Sequence, residues 1–273
     1  MRVLGVVMFT GSIWSPSMKM TTRVNVILPD RSGDCDPLQT DELYVMYLLH
    51  GLTANGDEWP RFTNIEYLAK KYNVAFVMPD VDRSFYTDMK NGIKYFGYVA
   101  HDLPEFVNTW FRLPTDRAHT LVAGESMGGY GACKLALTYP ERFGGVATLS
   151  GALDLPGFGR MCADGTFPDM PKGEFELMFG AGNPVPPEAD AFALFEKAAA
   201  LPVDKRPRLC SFCGTDDFLL DVNRRFDVRA TELGYDHLYL EWEGDHEWRF
   251  WQVAIQRALQ YLLGFDLETT PIW

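Results

Sequence analysis

The sequence predicts an α/β fold, with a mostly parallel central sheet flanked by helices on both faces. Three observations carry that expectation. Strand and helix signals alternate along most of the chain. The strand signals are short and almost continuously apolar, as strands covered on both faces must be. The 273 residues are 47% hydrophobic and 14% aromatic, enough for one large core, and no polar linker or composition shift divides them. Residues 1–273 therefore read as a single domain, without internal repeats or low-complexity tracts.

Taken in order, MRVLGVVMFTGSIW has one Arg and an apolar run too short for a signal-peptide core, so it reads as a first strand. VNVILP (24–29) and YVMYLLH (44–50) are buried strands. In TNIEYLAKKY, Thr63 and Glu66 stand at capping-box spacing, and Ile65, Leu68, Ala69 and Tyr72 recur on one helical face. VAFVMPD (74–80) is a strand closed by proline. Leu103, Phe106, Val107 and Trp110 have helical spacing, and HTLVAG (119–124) is strand-like. GVATLS (145–150) and RLCSFCG (208–214) are further strands. Between them, residues 154 to about 200 break the rhythm with Gly, Pro, Phe and Met, apart from a helical run at ADAFALFEKAAA. The alternation then resumes with a helix at DVNRRFDVRATEL and a strand at HLYLEW. In the last helix Trp251, Ala254, Ile255, Ala258, Leu259 and Leu262 form the buried stripe.

The chemistry centres on GESMGGYGACKLAL (124–137). Gly124-Glu125-Ser126-Met127-Gly128 is Gly-x-Ser-x-Gly between a strand and a helix, the context in which that motif presents a nucleophile. Glycines on either side permit a strained reversal that leaves the hydroxyl exposed at a helix N-terminus. The N–H of Met127 is then one oxyanion donor. A phosphate loop is excluded, since Gly-x-x-x-x-Gly-Lys is absent and Lys134 lies deep in the helix.

A serine needs a base, and the base needs a carboxylate. Two histidines follow Ser126. His237 lies inside a strand, whereas His246 in GDHEW sits between a strand end and the last helix, where a catalytic base belongs. The acid falls in GTDDFLLD (214–221), also after a strand. Asp216 and Asp217 are both candidates there and Asp221 is a weaker one. A second oxyanion donor is expected from LLHGLTANGDEW (48–59), where Gly51 lets backbone approach a ligand and Leu52 offers its N–H. His50, just before Gly51, reads as a residue that holds the loop.

The formal net charge of −12 argues against nucleic acid and against anionic membrane surfaces. No run of 18 apolar residues predicts a membrane span. Five scattered cysteines (35, 133, 162, 210 and 213) do not form a disulfide framework and favour a reducing, cytoplasmic compartment. Cys210-x-x-Cys213 lies on a strand, where the two thiols face opposite ways, and no second pair completes a zinc site. Trp248, Phe250 and Trp251 read as packing of the last helix or as a platform for sugar.

Taken together, VNVILP, LLHGLTANGDEW, MPDVDRSFYTDM, GESMGGYGA, CGTDDFLLDVN and GDHEWRFW resemble the esterase D branch of the α/β-hydrolases, over nearly the whole chain. That branch includes tributyrin esterases, feruloyl esterases and S-formylglutathione hydrolases. The resemblance implies an α/β-hydrolase fold with a small cap insertion at 154–200. It implies a serine carboxylesterase that uses neither cofactor nor metal and takes a small-molecule ester, with homo-oligomers compatible. By family pattern the acid is Asp217, the base His246, and the oxyanion donors Leu52 and Met127. The DRSFYTD stretch lies near the active site in such enzymes, without a chemical role for Tyr86. Phe158, Phe167, Phe175, Met178, Phe179 and Phe192 of the insertion are candidates to line an acyl or aromatic pocket. Short-acyl, acetylated-sugar and hydroxycinnamoyl esters all fit. Formylglutathione hydrolases carry Gly-Leu-Thr-Cys where this chain has Gly51-Leu52-Thr53-Ala54, so S-formylglutathione hydrolysis stands second. An acyltransferase, or a non-catalytic binding protein on the same scaffold, are the readings from other classes.

Overall fold

A computed structural model of the chain describes residues 6–29 and 42–272. Eight strands form one sheet: β1 (Val7–Ser15), β2 (Met20–Leu28), β3 (Tyr44–Leu49), β4 (Val74–Pro79), β5 (Thr120–Glu125), β6 (Gly145–Leu149), β7 (Arg208–Gly214) and β8 (His237–Trp242). Their spatial order is β1-β2-β4-β3-β5-β6-β7-β8. β1, β2 and β4 pair antiparallel at one end, and every pairing from β4 through β3 to β8 is parallel.

The helices are α1 (Glu58–Phe62), α2 (Ile65–Tyr72), α3 (Tyr95–Gly97), α4 (Leu103–Phe111), α5 (Met127–Thr138), α6 (Leu155–Asp164), α7 (Lys172–Phe179), α8 (Ala191–Ala199), α9 (Leu220–Glu232) and α10 (Trp248–Leu262). A π-helical stretch, Tyr98–Asp102, joins α3 to α4. The period-2 geometry of the strands divides the core into two layers. Val45, Tyr47, Leu49, Ala75 and Val77 face the layer of α5 and α8. Met46, Leu48, Phe76 and Met78 face the layer of α1, α2 and α10.

Three details differ from the sequence reading. The Thr63–Glu66 capping box does not form: α1 ends at Phe62, so the Thr63 hydroxyl donates to Trp59 O and accepts from Ile65 N, and α2 starts after Asn64. Trp110 is 73% exposed, because α4 buries only Leu103 and Val107 and lies near the sheet edge where Phe111 meets Phe9. The stretch after residue 154 is helical where breakers suggested irregularity. Pro156 occupies the first turn of α6, where a missing N–H costs nothing, Asp154 Oδ1 accepts from Gly157 N, and Gly165 ends the helix at φ 71°. Cys35 lies outside the described residues, while Cys133, Cys162, Cys210 and Cys213 are free and buried.

The parallel pairing places the loops. Leu49 is in register with Gly124, Glu125 with Leu149, and Gly214 with Trp242. The loops after β3, β5, β7 and β8 therefore leave the sheet along one rim, the rim where α/β proteins bind ligands.

Candidate active site

Ser126 stands between β5 and α5 at φ 55°, ψ −117°, a conformation that L-residues rarely adopt. The glycines around it are required by contact. A Cβ at position 124 would lie 2.4 Å from Gly128 C, and one at 128 would lie 2.3 Å from Leu49 O. The turn is pinned by Ser126 N donating to Leu149 O at 2.9 Å. Met127 opens α5, so its N–H has no acceptor one turn back within the helix.

The loops after β7 and β8 are tied together by backbone. Thr215 N donates to Trp242 O at 3.0 Å and Asp216 N to Gly244 O at 2.9 Å, and a Cβ at Gly214 would collide with Gly244 O at 2.2 Å. This docking brings Asp217 under His246, with Nδ1 lying 2.9 Å from Asp217 Oδ2 and 3.1 Å from Oδ1. The Asp217 side chain is fully buried. Burial alone would raise its carboxyl. The His246 hydrogen bond and charge, the Ser150 hydroxyl and the Leu219 N–H outweigh burial and hold it below the ordinary aspartate value. Asp216 and Asp221 are exposed, so of the three candidate aspartates it is Asp217 that is buried against His246. With Nδ1 on the carboxylate, Nε2 is the ring nitrogen left for a substrate. Phe218 and Trp251 hold the ring, with centroids at 4.6 and 4.9 Å, and Trp251 Nε1 donates to Ser150 Oγ. His237 is elsewhere: its ring is buried beside the Ser211 hydroxyl, and burial pulls it down to about 4.

The loop His50-Gly51-Leu52 is braced from several directions. Val81 N donates to His50 Nε2 at 3.1 Å, so the His50 proton sits on Nδ1, which donates to Gly51 O at 2.8 Å. Tyr86 donates its hydroxyl to His50 O at 2.8 Å. The turn carrying Tyr86 is itself held by buried Lys134, which donates to Tyr86 O and Thr87 Oγ1. Burial pulls that lysine down to about 7. Tyr86 thus acts on the site through backbone, a role that the sequence did not signal.

Ser126, Met127, Gly51, Leu52 and His246 line one cavity of about 620 Å³. Of the six insertion residues considered from sequence, Phe158 and Phe167 line it. Phe175 packs behind Phe158, Met178 and Phe179 border a separate cavity, and Phe192 packs on Phe226. Trp248 and Trp251 both reach the cavity, whereas Phe250 stacks on Trp242. Glu58, Glu125, Met161, Thr166 and Asp169 are among the other residues of the wall, and the sequence did not mark them as lining, since only folding brings their segments to the rim. Among the described residues no group of three or more His, Cys, Asp or Glu side chains is placed to hold a metal ion. No described helix is long and apolar enough to cross a membrane.

The same architecture recurs in solved serine hydrolases. FphF of Staphylococcus aureus, a fluorophosphonate-binding serine hydrolase solved with substrate bound, superposes with a TM-score of 0.83 at 30% identity, covering 94% of this chain and 98% of its own. The S-formylglutathione hydrolase FrmB of Staphylococcus aureus superposes at 0.80 with 29% identity, over 95% of this chain and 99% of its own. The molecule is an α/β-hydrolase, a serine hydrolase acting on carboxylic ester bonds. The Esterase family model, described as "Putative esterase", matches residues 15–262. The acetyl esterase of Caldicellulosiruptor saccharolyticus is 32% identical over 259 residues, 92% of this chain and 96% of that one. The chain belongs to the Esterase family, in agreement with the esterase-D-like resemblance of its motifs.

Proposed function

We propose that the chain hydrolyses small carboxylic esters through an acyl-enzyme on Ser126. His246 Nε2 takes the serine proton as Oγ attacks the carbonyl, and returns it to the leaving alcohol. Asp217 fixes the tautomer and stabilises the imidazolium. The N–H groups of Leu52 and Met127 hold the oxyanion. Water, deprotonated by His246, then releases the acid. The observation that carries this reading is the His246–Asp217 bond at the edge of a cavity that Ser126 also lines.

The whole chain is taken as one domain, with 154–200 as its cap, since Phe158, Met161 and Phe167 of that stretch line the cavity. Acetyl and other short acyl groups, on sugar or aryl alcohols, are the favoured substrates, in keeping with the acetyl esterase relative. Hydroxycinnamoyl esters are the next candidates, given the aromatic wall. S-Formylglutathione stands second, supported by the likeness to FrmB. Two observations weigh against it: Ala54 replaces the family cysteine, and the cavity wall carries the carboxylates of Glu58, Asp169 and Glu247 without a Lys or Arg to meet a net-negative glutathione. A cytoplasmic location is favoured by the free cysteines.

The test is a panel of aryl acetate, acetylated sugar, methyl ferulate and S-formylglutathione. The reading expects the highest kcat/KM on an oxygen ester. A thioester preference of tenfold or more moves the assignment to the second reading. Failure of Ser126 to label with a fluorophosphonate removes both.

A further inference from the structure

Glu125 fills the variable position between Gly124 and Ser126, and it is 1% exposed. Its Oε1 accepts the N–H of Gly51, and its Oε2 is buried without a hydrogen-bond partner. The packing is close: a Cβ at position 51 would stand 2.3 Å from Oε2, so Gly51 is the residue that lets the carboxyl reach this backbone. The titratable groups around it offer no countercharge. Glu58 of α1 is acidic. Tyr86 gives its hydroxyl to His50 O, and His50 is neutral, with both ring nitrogens in hydrogen bonds. Asp217 and His246 are bonded to each other.

A buried carboxylate is stable only when paired or fully hydrogen-bonded, and this one would have a single donor. It would also place a negative charge one residue from Ser126 and one hydrogen bond from the Gly51-Leu52 backbone. An oxyanion developing there would be repelled in a low-dielectric site.

We propose, resting on the acyl-enzyme role of Ser126, that Glu125 is a positioning residue for the oxyanion loop and works as a neutral carboxylic acid. Its Oε1 holds the Gly51 N–H and so fixes the next N–H, that of Leu52, without setting a charge beside the atom where negative charge develops. Burial drives the carboxyl well above its usual range, against the Gly51 N–H and with the help of the Glu58 charge. Carboxylic acids kept neutral by apolar surroundings serve oxyanion sites elsewhere.

Two measurements test this. Infrared difference spectra of wild type minus Glu125→Gln at pH 7 should show the C=O band of a protonated carboxyl that the variant lacks. A carboxylate band in its place overturns the proposal. In parallel, Glu125→Leu, which loses the acceptor, should lower kcat roughly ten- to hundredfold with KM moved much less. Glu125→Gln, which keeps an acceptor and cannot ionise, should recover most of that loss. Equal damage in both variants, or none in Glu125→Leu, overturns the positioning role. If Glu125→Leu does not fold, Glu125→Gln against wild type and the infrared band still decide. A wild type without ester turnover would defeat the Ser126 reading, while the infrared result would stand by itself.

Discussion

At the scale of single residues, the site is a division of labour among groups whose surroundings differ sharply. Ser126→Ala should lower ester turnover at least about 10⁴-fold with the fold intact, measured by steady-state kinetics beside circular dichroism. Asp217→Asn should cost about as much, because the wrong imidazole tautomer would face the serine. Asp216→Asn should stay within about threefold, since that side chain is exposed. The reverse ranking would move the acid by one position. His237 makes a separate prediction about stability. Its folded value is depressed to about 4 by burial, below the ordinary histidine value. Between those values the unfolded chain binds more protons, so stability is full above the unfolded value and falls as pH drops toward the folded one. The loss is on the order of 2–3 kcal/mol, and denaturant melts at pH 7.5 and 4.5 should show a shallower pH dependence in His237→Gln.

At the scale of elements, the turn from β5 into α5 is the part where sequence and geometry agree most closely. Glycines cluster there because other backbone and side chains fill the space a Cβ would need. Gly128→Ala drives a Cβ into Leu49 O, which belongs to a neighbouring strand and has little freedom to retreat. The expected result is a loss of about 1–3 kcal/mol in thermal or denaturant unfolding and a fall in kcat of tenfold or more, as Ser126 shifts. Wild-type kcat in a stable Gly128→Ala protein would show that the turn tolerates relaxation. Elsewhere, local rules met competition. Thr63 has capping-box spacing, yet the end of α1 claims its hydroxyl. Proline and glycine at 156, 157 and 159 look like breakers, yet they suit the first turn of α6 and the close approach of Phe175 to Gly159.

At the scale of the whole molecule, the charge of −12 and the acidic wall of the cavity act in the same direction. Both should slow the approach of anionic esters. For matched aryl esters differing only in a remote charge, kcat/KM should rise with salt for the anionic one and fall for the cationic one. The neutral one should stay nearly flat up to about 0.5 M. Identical salt profiles for all three would show that the wall does not select by charge. The cap adds a second whole-molecule effect. Phe167→Ala should alter KM and acyl preference severalfold, because Phe167 is only partly buried and packs on Phe158 and Phe218 over the cavity. Unaltered preference would assign the specificity to Trp248 and Trp251 instead.

The amino-acid sequence by itself determined the strands, the turn that presents Ser126, and the loops after β3, β7 and β8 that carry Leu52, Asp217 and His246. Those features are local, since strand periodicity, glycine at a forbidden turn and the residue after a strand end are all written within a few positions. Tertiary structure alone decided which of two adjacent aspartates turns inward, which aromatic side chains of the insertion reach the cavity, and that Tyr86, Lys134 and Glu125 brace the His50-Gly51 backbone. Each of those depends on what another loop, tens of residues away, leaves buried or unpaired once the parallel strands bring their ends to one rim.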